Sequence, residues 1–207
     1  MTIRIKAKED ILAPGMAAGL LSTAALALCG KLHGKRASAP VSAVSHWVWP
    51  QEARRTARPK ARHLITGLLI HQAMSIGWAA FNALALAGLR KTLELRDGAA
   101  NCTPASDVST ATGKVVNYVR DNGRTEDDRR QKNSRERKHR VALAAATTVA
   151  AAVGDYIVVP KRFTPGFEYH LNAAYITAVY VAFGAGLMVP FMVERWAASR
   201  CIEDHRA

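Results

Sequence analysis

Hydropathy along the chain alternates between long apolar runs and strongly polar connectors. The clearest run, residues 63–89 (HLITGLLIHQAMSIGWAAFNALALAGL), has 27 positions without Lys, Arg, Asp or Glu and is bracketed by Arg62 and Arg90. At ~1.5 Å per helical residue it reaches ~40 Å, enough to cross a hydrocarbon core of ~30 Å with some tilt. Gly67, His71, Ser75, Trp78 and Asn82 share one helical face. A stripe of small and hydrogen-bonding side chains has no use against lipid, so this helix demands partner helices.

Three further runs supply them. Residues 11–30 are uncharged, and Gly15, Gly19 and Thr23 fall four apart, a spacing that lets helix backbones approach closely. A cleaved leader is disfavoured there, because Glu9 and Asp10 interrupt the basic start and bulky Leu28 precedes Cys29. Residues 141–160 are Ala-rich and contain Asp155, which is costly against lipid and places this helix inside a bundle. Residues 173–193 carry Ala174, Ala178, Ala182, Gly186 and Pro190 at an interval of four, a second packing stripe. The expected fold is all-α: an integral membrane four-helix bundle, one domain across residues 1–207.

The connectors differ in kind. Within residues 31–62, Ser38 and Pro40 suit a helix start, and Val41, Val44 and Val48 mark an apolar face. With Trp47 and Trp49 this predicts a short interfacial helix between spans 1 and 2. Residues 91–140 form a long polar connection between spans 2 and 3, flexible over 97–113. Residues 125–140 hold eleven charged side chains, acids early and bases late, which suits either a solvated loop or a helical extension of the third span. In the 160–172 connection, Thr164-Pro165-Gly166 is turn chemistry, and Glu168 is placed to start the last helix.

Composition changes this picture only in places. Mean hydropathy of -0.04 averages apolar spans with polar connectors, and local runs decide insertion. A net charge of +13 favours anionic partners, lipid headgroups before nucleic acid, because the basic block lacks interleaved aromatics. Other membrane proteins are a further class of expected partner. Cys29, Cys102 and Cys201 form no motif. Lys and Arg number 19 on the side of the termini and 90–140, against 10 on the other, which places the termini in the cytoplasm.

Four spans put the 31–62 and 160–172 connections on one face. His71 lies nine residues inside Arg62 and Asp155 six inside Lys161, or ~13 Å and ~9 Å deep from that face. His46, Trp47, Arg162, Glu168 and His170 hang over them. The candidate polar cluster is therefore His46, Trp47, His71, Asp155, Arg162 and Glu168. The leading reading makes His71 and Asp155 hydrogen-bonded ties between helices, with Arg162 pairing Glu168, Asp155 or a headgroup phosphate. A binding or conduction site for a proton, ion or polar metabolite is second. A metal site or membrane enzyme drawing on His46, His71, Asp155, Glu168 and His170 is third, without a helical His pair, phosphate loop, nucleophile elbow or paired Cys motif to support it. No cofactor is expected.

Ser45-His46-Trp47, the Arg62-His63 phrase through Gly67 to His71, Gly154-Asp155-Tyr156, the Pro160 to Glu168 turn and Val179-Tyr180-Val181-Ala182-Phe183-Gly184 together resemble an uncharacterised family of small bacterial inner-membrane proteins. The resemblance covers residues 38–89 and 141–190 and leaves 97–135 as an insertion. It implies a bacterial inner membrane and four helices, and brings no activity. The expected function is a non-enzymatic accessory or scaffold component, with a small transporter as the alternative.

Overall fold

The computed structural model describes residues 5–53, 58–100 and 114–204, and every regular element among them is helical. A π-helical turn, Ala7–Leu12, leads into α1 (Ala13–Leu32). Short α2 (Ser38–Ala43) runs into a 3-10 turn, Val44–Trp47, and is followed by α3 (Pro50–Ala53). Then come α4 (Ala61–Ala100), α5 (Lys114–Val153) with a π-helical end at Gly154–Val158, and α6 (Ala173–Asp204). Four segments are long and apolar enough to cross a membrane: Ala7–Leu32, Ala61–Arg96, Asn133–Val158 and Ala173–Ala197.

The four long helices pack as a square. α1 lies against α4 and α6, and α5 lies against the same two, so α1 and α5 stand at opposite corners. Large apolar side chains point outward: Leu20 is 60 % exposed, Leu69 66 %, Ile157 76 % and Val181 64 %. The interior mixes small residues, among them Ala18, Ala79, Ala144 and Ala151, and buried serines and threonines with a few large ones such as Leu26 and Phe183. A water-soluble bundle would reverse that order; an apolar girdle around a small and polar interior suits lipid.

Close approach is built from glycine. A Cβ on Gly15 would stand 2.7 Å from the Ile76 backbone of α4, and one on Gly186 would run into the backbone of Ala18. The predicted stripe on α6 is only partly used, because Ala174 and Ala178 are exposed while Gly186 is buried. Each step of four residues turns a helix face by about 40°. Four such steps carry the stripe away from its neighbour, and Val179, Phe183 and Leu187 take the buried face instead.

In the polar connection 91–140 the charged block takes the helical form, one of the two arrangements expected for residues 125–140. α4 continues to Ala100 and α5 begins at Lys114, while residues 101–113 of the loop lie outside the described residues. The physical reason is composition: Leu, Glu, Lys and Arg are strong helix formers, and nothing between Arg90 and Arg96 breaks the helix. Glu136 of α5 also pairs with Arg90 of α4 and, at 3.3 Å, with Arg140 one turn away, tying the two extensions together.

Candidate functional site

The connections before α4 and before α6 meet at one end of the square, here the connecting end. Residues 39–46 are buried there, packed against α1, α4 and the turn around Phe167. The carbonyl of Val41 and the backbone of Ser42 lie so close to Gly67 that a Cβ there would meet the carbonyl oxygen at 2.5 Å.

His46 is 1 % exposed and joins the two connections. Its Nδ1 lies 2.7 Å from the Ala43 carbonyl and its Nε2 3.1 Å from the Arg162 carbonyl. Trp47 Nε1 donates to the Thr164 carbonyl at 3.3 Å, and its ring meets Phe163 edge-on. The turn itself is closed by Gly166, whose φ of 80° is left-handed and whose missing Cβ would sit 3.1 Å from His46 Nδ1. Thr164 Oγ1 donates to Glu168 at 3.1 Å, so Glu168 holds the turn. The cap of α6 is Asn172, whose Oδ1 accepts from the Tyr175 N–H at 3.1 Å.

Beneath this latch lie His71 and Asp155. His71 Nε2 is 2.8 Å from Ser22 Oγ of α1. Ser22 also donates to the Ala18 carbonyl at 2.7 Å, which uses its one proton, so the imidazole is the donor to Ser22. Asp155 accepts a 2.6 Å hydrogen bond from the Tyr180 hydroxyl of α6. The π-helical end of α5 carries Asp155, and such widened turns often mark functional positions. His71 and Asp155 line one cavity of about 50 Å³, with Ser75, Trp78 and Phe167 among its walls. One further polar tie, Thr147 to Asn82 at 3.1 Å, joins α5 to α4.

Of the six residues singled out in the sequence, His46, Trp47 and Glu168 form the latch, and His71 and Asp155 share the cavity. Arg162 contributes its carbonyl, while its guanidinium lies 5.7 Å over the Phe163 ring. It forms no ion pair with Asp155 or Glu168, two of the three partners expected for it. The five candidate metal ligands are not brought together: among the described residues no three His, Cys, Asp or Glu side chains are placed to hold an ion. Ser22, Tyr180 and Thr147 were missed, because a lone hydroxyl in an apolar run carries no periodic signal.

Two groups on the rim have shifted protonation. Burial, with Lys35 nearby, pushes the His170 imidazole below its usual range, and its Nε2 has no partner within the described chain. Glu52 is held below the usual carboxylate range by its hydrogen bond to Arg62, at 2.5 Å. Arg62 in turn lies 5.2 Å over Trp49.

Comparison with protein families, with characterised proteins and with solved structures yields no match, so the likeness to small inner-membrane proteins rests on the sequence phrases alone.

Proposed function

We propose that the chain is a non-enzymatic multi-pass protein of a bacterial inner membrane, an accessory or scaffold component whose four helices form a lipid-embedded bundle. In this reading α2 and the turn after it sit at the interface, the termini are cytoplasmic, and the basic extensions of α4 and α5 meet anionic headgroups. The single observation that carries it is how the polar side chains are used. His46, Trp47, His71, Asp155 and Glu168 each make a hydrogen bond within the chain, most of them between separate elements. Groups spent in this way hold helices together.

A second reading, a small transporter or proton-binding protein, draws on the cavity that His71 and Asp155 share. Thermal unfolding of the detergent-purified protein separates the two. His71→Ala and Asp155→Asn each lose about 1 kcal/mol, and melt lower, if they are ties. Equal or higher melting temperatures mean the polar groups are kept at a cost to packing, and the transport reading replaces the first.

A further inference from the structure

A second and larger cavity lies at the opposite end of the square, about 310 Å³ in volume and walled by all four long helices and the N-terminal turn. It is of the size that holds small ligands. From Arg90 at the mouth to Asn82 at the floor it runs eight residues of α4, or ~12 Å. Leu86, Leu143, Leu187 and Phe191 give it apolar walls. Asn82 closes the floor, its amide oxygen taken by Thr147 and its NH2 without a partner among the described residues.

The charges at the mouth are mostly sorted by side, with Lys6 among the carboxylates and Arg195 of α6 5.7 Å over the Phe191 ring as the exceptions. Arg90 and Arg140, on adjacent helices α4 and α5, share one carboxylate, Glu136, which leaves a surplus positive charge. Arg140 is fixed further by lying 4.6 Å over the Phe191 ring. The other two corners carry Glu9, Asp10 and Glu194 around Lys6. Lys6 Nζ pairs with Glu9 at 3.0 Å, Asp10 accepts from the Lys6 backbone N–H at 2.8 Å, and Glu194 forms no ion pair among the described residues. The hydrogen bond that Lys6 donates to Glu9, with the charges of Glu9, Asp10 and Glu194, raises the Lys6 ammonium above its ordinary range.

We propose that this cavity binds a zwitterion in which an oxyanion, held by Arg90 and Arg140, is joined by a short chain to a primary ammonium, held by Glu194 and Asp10. A simple anion meets three carboxylates at the mouth and a simple cation meets two guanidinium groups; a molecule carrying both charges satisfies each wall. Neighbouring helix axes stand about 8–10 Å apart, which calls for charges several bonds from one another, as in phosphoethanolamine. That group occurs as a free solute and as a lipid headgroup. The proposal is independent of the ties at the connecting end.

The test titrates the purified full chain with phosphoethanolamine, inorganic phosphate and ethanolamine, reading binding by calorimetry, and compares retention of phosphatidylethanolamine with that of phosphatidylglycerol. The expected result is saturable binding of phosphoethanolamine that phosphate or ethanolamine alone does not reproduce. Arg140→Gln and Glu194→Gln each weaken it about tenfold, equivalent to about 1.4 kcal/mol, and Arg90→Lys weakens it less. Retention of phosphatidylethanolamine alone, with the same dependence on Glu194, supports the site and makes the bilayer its source. If Arg140→Gln does not fold, Glu194, exposed at the rim, tests the ammonium half by itself. Binding of phosphate equal to that of the zwitterion, indifference to Glu194→Gln, or no binding of any probe overturns the proposal.

Discussion

His170 shows how one side chain links pH to the connecting end. The residue is 7 % exposed, Nε2 lacks a partner among the described residues, and burial favours the neutral form. The unfolded imidazole titrates near pH ~6.5, so below that value the unfolded chain binds more protons than the folded one. The stability contributed by neutral His170 is therefore fully present above that pH and is lost as pH falls through it. Melting temperature measured between pH 7.5 and pH 5.5 (a span of about two units around the unfolded value) should fall on acidification, and His170→Gln should flatten that fall. A slope unchanged in the variant assigns the effect elsewhere. Single residues were the least legible part of the sequence. Asp155 stood out because a carboxylate in an apolar run is expensive, but its partner Tyr180 did not, since a tyrosine is ordinary there. Arg162 misled for the opposite reason: an arginine near two acids suggests an ion pair, and only the fold shows its guanidinium stacked on Phe163.

At the scale of elements, the helices are held at distances that only glycine permits. Gly186→Val drives a side chain into the Ala18 backbone at the α1–α6 contact, and overpacking of this kind costs about 1–3 kcal/mol. Gly77→Ala and Gly88→Ala are the matching controls: a Cβ at either meets nothing within 4 Å, so both variants should gain about 0.5–1 kcal/mol from helix propensity. Melting temperatures ordered Gly186→Val below wild type and wild type below the two alanine variants support the packing described; a neutral Gly186→Val removes it. The four long helices were readable because apolar runs of this length are rare and span a bilayer. The stripe on α4 was read correctly through Gly67 and Ser75, since its mixed spacing of four and three follows the helix. The stripe on α6 was over-read, since a constant spacing of four drifts around it. Charge alone does not decide between loop and helix for residues 125–140; α5 runs through them, and the Arg90–Glu136 ion pair joins it to α4.

Among the described residues the spans present an apolar girdle, and the hydrogen-bonded polar groups gather between the helices and at the two ends. The connecting end is closed by the latch of His46 and Trp47 onto the 160–172 turn. The other end opens into a cavity with sorted charges, which the sequence reading passed over because its residues come from four separated segments. Nothing in the chain announces that Arg90, Arg140 and Glu194 converge. In the proposed reading the buried polar groups act as ties between helices. A double-mutant cycle on Tyr180→Phe and Asp155→Asn, read by thermal or denaturant unfolding in detergent, measures one such tie directly. The expected result is that each single variant is destabilised and that the pair is less than additive, with a coupling of about 0.6–1.7 kcal/mol. Additive effects, or a Tyr180→Phe variant more stable than wild type, would contradict it and turn attention to Asp155 as a group held for a ligand.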